Sequence, residues 1–146
     1  MGNFENAVKS TPDIQNGYRK GLQALGANSK YVSATNNSQI EGSVDIDNAT
    51  HAKYPTASRW DYVVGYNEVL YFIEVHPASS GKNVDEMLAK YNWLKSWLSQ
   101  NASLLNANPN KKYRWVRTGK VSIPTSQATR KLQQAGISPV GTVRME

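Results

Sequence analysis

Arg59-Trp60-Asp61-Tyr62-Val63-Val64-Gly65-Tyr66-Asn67-Glu68-Val69-Leu70-Tyr71-Phe72-Ile73-Glu74-Val75-His76 decides how the rest of the chain is read. Two runs rich in β-branched and aromatic residues flank Gly65-Tyr66-Asn67-Glu68, the pattern of a β-hairpin. The second run is apolar on both faces until Glu74, which predicts a buried central strand. A carboxylate on such a strand is costly unless a charge or a hydrogen-bond donor meets it. Alternation puts Phe72, Glu74 and His76 on one face. With a four-residue loop, Val64 faces Val69 and Asp61 faces Phe72. Asp61 then shares the face of Glu74, one diagonal step away.

Asp61, twelve intervening residues and Glu74-Val75-His76 resemble the active-site hairpin of the PD-(D/E)XK nuclease superfamily. The resemblance runs roughly from residue 39 to 116 as an order of elements: hairpin, long amphipathic helix, strand. It implies a restriction-endonuclease-like core, with Asp61 and Glu74 as ligands of magnesium or manganese and the Val75 carbonyl completing the site. Trp60 stands where the motif has proline, and His76 where it has lysine. The catalytic set implied is Asp61, Glu74 and His76, with Lys82 and Lys90 the nearest lysines that would stand in for the missing one.

The 146 residues suit one domain, spanning 1–146. There are no cysteines, which excludes disulfides, thiolate zinc sites and cysteine nucleophiles. No apolar run reaches the ~18 residues of a membrane span. The first residues lack a signal-peptide pattern, so a cytoplasmic location is expected. P-loop, dinucleotide-binding, His-Glu-x-x-His and Gly-x-Ser-x-Gly patterns are absent from the sequence. What remains is an oxygen-rich site suited to a hard divalent cation.

Net charge is +6, unevenly spread. Residues 1–86 hold ten acids and seven bases; residues 87–145 hold ten bases and no acid. Such a division suits a polyanion held against a metal site, and equally suits a solvated surface. Lys111, Lys112, Arg114, Arg117 and Lys120, set among Tyr113 and Trp115, are the candidate nucleic-acid contacts.

Elsewhere, Ile14, Tyr18, Leu22 and Leu25 predict a helix from Pro12, capped by Thr11 and ended by Gly26. Gln39 to Asp47 alternates as a first strand, with Glu41 and Asp45 as either extra acids near the metal or a solvated face. His51 lies in the following connection as a lone loop histidine. Asn83 is the expected cap of a helix whose stripe is Val84, Met87, Leu88, Tyr91, Leu94 and Leu98, with Glu86 at the capping-box position. Trp93 and Trp97 fall off that stripe and need cover, from C-terminal elements or from a second copy in a homodimer. Residues 112–119 predict a strand, 126–135 a helix and 140–145 a last strand.

The expected architecture is α/β: a mixed sheet with the hairpin at its centre and helices on both faces. The expected function is a metal-dependent nuclease acting on nucleic-acid phosphodiesters. The alternatives are a catalytically inactive relative that binds nucleic acid, and a protein-interaction module. Asp61 and Glu74 would then be strand acids paired with Arg59 or Lys82.

Overall fold

The hairpin closes through two residues rather than four. In the computed structural model, which describes residues 2–119, 121 and 126–146, β3 (Tyr62–Tyr66) meets β4 (Val69–Pro77) with Tyr66 opposite Val69 and Tyr62 opposite Ile73. Asn67 and Glu68 make the turn with φ of 47° and 65°, the positive values a type I′ turn needs. The register therefore differs by two residues from the one expected, and because side chains alternate with period two, every face assignment survives. Asp61 now stands directly opposite Glu74 instead of diagonal to it.

Glu68 holds a left-handed backbone that favours glycine. Glu68→Gly is expected to stabilise the protein by about 0.5–1 kcal/mol in urea unfolding, with the hairpin register unchanged.

Around the hairpin the sheet order is β2-β3-β4-β5-β6, with β2 at Ile40–Asp45, β5 at Lys111–Thr118 and β6 at Ile137–Val140. The first two pairings are antiparallel and the last two parallel. β4 is central, as its apolar run demands. The crossover from β4 to β5 is α3 (Gly81–Asn101), and that from β5 to β6 is α5 (Ser126–Ala135).

The helices gather on one face. Phe4 and Val8 of α1 (Gly2–Lys9), Val84, Met87, Leu94 and Leu98 of α3, Leu105 of α4 (Ser103–Asn106) and Leu132 of α5 pack there with Val44, Val63, Phe72 and Trp115. The second face is covered differently from expectation. Leu25 and the parallel pair β1 (Val32–Ala34) and β7 (Val143–Met145) seal Val64, Tyr71, Ile73 and Val116. The single last strand expected over 140–145 is thus two, since β6 ends at Val140 and β7 leaves for another sheet.

The helix expected from Pro12 to Leu25 does not form. Pro12–Ile14 and Gln23–Tyr31 are 3₁₀ segments, the second broken at Gly26. Gly17, Gly21 and Gly26 weaken the helix, and the backbone is used elsewhere. Arg19 and Ser43 exchange both N–H···O bonds at 2.9 Å, covering the free edge of β2. The Tyr18 ring lies against Gly42, where a Cβ would come within 2.4 Å of it.

α3 starts earlier than expected. Ser80 is its N-cap, and Asn83 is the third helical residue, its Oδ1 accepting the Ser79 and Ser80 N–H groups. Trp97 is buried, but under N-terminal residues rather than C-terminal ones. It stacks on Trp93 with centroids 5.8 Å apart, and its Nε1 donates to Asp13 Oδ2 at 3.0 Å. Tyr54 closes over Trp93 edge-on. Among the described residues no helix is long and apolar enough to cross a membrane.

Candidate functional site

One end of the sheet collects the acids. β2 and β4 finish there, β3 begins there, and Asp61 is the residue just before β3. Its backbone carbonyl accepts the Ile46 N–H at 2.8 Å, which fixes it against α2 (Ile46–Thr50). Asp61 and Glu74 are latched reciprocally. Glu74 Oε2 accepts the Asp61 N–H at 2.6 Å, and Asp61 Oδ2 accepts the Val75 N–H at 3.0 Å. The two candidate metal-ligating carboxylates are thus side by side on one face, and Val75 is tied into the same latch.

Glu74 is fully buried. Its countercharge comes from α3: Lys90 Nζ lies 3.1 Å from Glu74 Oε1 and also donates to the Arg59 carbonyl at 3.0 Å. Glu74 Oε1 has no well-aligned hydrogen bond, so the ion pair alone meets it. Neither Arg59 nor Lys82 is the partner. Arg59 Nε instead holds Asp47 Oδ1 at 2.6 Å.

Burial pushes the Glu74 carboxyl well above the usual carboxylate range, the neighbouring Asp61 charge adds to the rise, and Lys90 opposes it. Burial also raises Asp61, against the pull of the Val75 N–H and the Lys90 charge. Asp45 is raised by burial, with the charges of Asp47 and Asp61 contributing. Asp45 is therefore the strand acid within electrostatic reach of the pair. It also caps α2, accepting the Asn48 N–H at 2.9 Å. Glu41 is at the opposite end of the sheet, accepting the Glu68 N–H beside the hairpin turn. A cavity of about 370 Å³ opens at that far end, between Phe4, Glu41, Glu68 and Leu105, away from the acid pair.

His76 follows Glu74 on the same face, but its Nε2 is 3.4 Å from Glu86 Oε1 on α3. Glu86 lies below the usual carboxylate range, held there first by the Asn83 amide and then by His76. His51 is exposed. Among the described residues, no third His, Asp or Glu joins Asp61 and Glu74 to cage an ion.

The candidate nucleic-acid contacts do not share a face. Register puts Lys111 and Arg117 on the side of Phe72 and His76, and Lys112 and Arg114 on the side of Tyr71 and Ile73. Lys111 Nζ is bound by the carbonyls of Asn106 and Asn108. Lys112 lies over the Tyr71 ring, and Arg114 donates to the Tyr113 carbonyl. Lys120 lies outside the described residues.

Lys90 is the partner of the acid pair that the hairpin alone does not reveal. Met87, Lys90 and Leu94 are spaced three and four apart, so a lysine sits inside the buried stripe of α3, a visible signal that a buried acid waits opposite. No family model, curated protein or solved structure matches this chain.

Proposed function

We propose that the acid end of the sheet binds magnesium or manganese at Asp61 and Glu74 and acts on nucleic-acid phosphodiesters as a metal-dependent nuclease on a restriction-endonuclease-like core. The observation that carries this reading is the buried, mutually latched pair of carboxylates facing a lysine. Two hard oxygen donors that repel each other suit a small dication, which keeps water and phosphate as its remaining ligands. When bound, such an ion supplies charge neutralisation and an acidified water. Asp61, just before β3, and Glu74, on β4, would hold and orient it, with the Val75 carbonyl as the third ligand that the resemblance implies. Lys90 supplies the positive charge that the motif places on the strand. His76, anchored by Glu86, is the candidate base at the next rung.

A second reading has its own observation. The Lys90–Glu74 pair already balances Glu74 without a metal, which fits a catalytically inactive relative that binds nucleic acid. Calorimetric titration with manganese separates the two. The expected result is saturable binding that Asp61→Asn weakens by at least about tenfold, together with metal-dependent cleavage that the same substitution removes. Absence of both in the wild type leaves the second reading.

A further inference from the structure

Arg117 is a base of β5 at the acid end of the sheet to which the described residues offer no hydrogen bond at Nε. It is in register with His76 across β4 and β5, so it shares the face of Glu74, one rung, roughly 7 Å, nearer the strand ends. Its Nε is buried and has no hydrogen-bond partner. A guanidinium N–H removed from water without an acceptor is unfavourable and calls for an explanation; the side chain as a whole is half-buried, so a phosphate meets its exposed part and reaches Nε when the side chain turns outward.

The polar groups near His76 and Glu74 bond to residues other than Arg117. Glu86 Oε1 takes the Asn83 amide and faces His76. The His76 carbonyl takes Trp115 Nε1 at 2.9 Å. Asp61 and Glu74 are latched to each other's strands. The Ser79 and Ser80 N–H groups at the start of α3 go to Asn83, so the helix terminus is not where an anion is bound.

We propose that Arg117 grips a nucleic-acid phosphate beside the Asp61–Glu74 site. This rests on the phosphodiester reading of that site. A guanidinium fork matches two phosphate oxygens in one plane, which an ammonium does not. The other described bases of β5 have partners or stand on the other face, so Arg117 is the one with capacity left beside the acids.

The test is made in EDTA, so that metal plays no part. Oligothymidylate binding is measured from low to physiological salt for the wild type, Arg117→Gln and Arg117→Lys. Arg117→Gln is expected to reduce the slope of log K against log salt by about 0.7, one single-strand phosphate contact. Arg117→Lys should keep the slope and bind more weakly than wild type. On the wild type, the Arg117 Hε resonance should shift with oligothymidylate and not with equimolar inorganic phosphate. This arm needs no variant and so does not depend on how well a variant folds. An unchanged slope for Arg117→Gln, an immobile Hε resonance, or a shift with inorganic phosphate alone overturns the proposal. A reduced slope in a protein without metal-dependent cleavage keeps Arg117 and removes the nuclease reading. Cleavage with an unchanged slope does the reverse.

Discussion

Lys90→Met is expected to destabilise the protein by about 2–4 kcal/mol in urea unfolding at pH 8, one of the two largest effects foreseen. Lys90 is the cation within 4 Å of Glu74 among the described residues, and Glu74 has no access to water. Removing the ammonium leaves a buried carboxylate beside a second acid. The Lys90 side chain is 20% exposed, so solvent screens part of the loss, and the lower half of the range is the better expectation. The methionine stem keeps most of the packing that the lysine stem supplied. The double variant Lys90→Met/Glu74→Gln should recover most of the deficit, giving a coupling of about 2 kcal/mol. A fully additive cycle would mean that the two residues do not sense each other.

The pH dependence has a definite sign. Folded Glu74 and Asp61 both have raised pKa values. Above the ordinary carboxylate range, about 4, the native state therefore binds more protons than the unfolded chain. Stability falls as pH rises from there through the raised folded values. The Lys90→Met deficit should be small near pH 4, where folded Glu74 is protonated, and complete above the raised range. Asp13 runs the other way. Burial alone would raise it, but hydrogen bonds from Lys53, Trp97 and Tyr54 outweigh burial and hold it low. Its contribution is present above the ordinary range and lost as pH falls through its depressed value. The two effects can be separated with Glu74→Gln, which removes the Glu74 share of the alkaline-side loss.

The hairpin, α3, α5 and β5 were legible because each is a long element with one clear period. The turn was misjudged by two residues, an error that parity makes harmless to the question of which side chains meet. β2 was legible from its alternation over 39–47, but the segment from 12 to 31 was not. Ile14, Tyr18, Leu22 and Leu25 mimic helical spacing, yet Tyr18 serves Gly42, Leu25 the second face of the sheet and Ile14 the first. Tertiary contacts set those positions, and no local rule reveals them. The site was legible as far as a strand can show it: Asp61 and Glu74 on one face. What faces them depends on where α3 lies, so the Lys90 pairing and the turn of His76 toward Glu86 could not be read from the hairpin.

The placement of Trp97 yields the other large effect. Trp97→Asp is expected to destabilise the protein by about 4 kcal/mol or more, enough to unfold much of it at 37 °C. Trp97 is 2% exposed, stacked on Trp93 and bonded to Asp13. Aspartate there empties a large volume and sets a new carboxylate against Asp13, whose oxygens already bind Lys53 and Tyr54. Trp97→Phe keeps most of the ring and loses one hydrogen bond of three to Asp13, a loss of about 1 kcal/mol. Trp93→Ala, at a half-buried ring, should fall between the two. The measurement is chemical unfolding followed by far-ultraviolet circular dichroism, with light scattering on the same samples. An interface residue would behave differently, since Trp97→Asp would then give a folded monomer from a wild-type dimer. A natively folded Trp97→Asp monomer of near wild-type stability would show that this ring is closed by a second copy and not by Asp13 and Trp93. If the chain does pair through this face, Trp93 is the ring with surface left to offer, and Trp93→Ala is the substitution that should shift the scattering while leaving the fold in place.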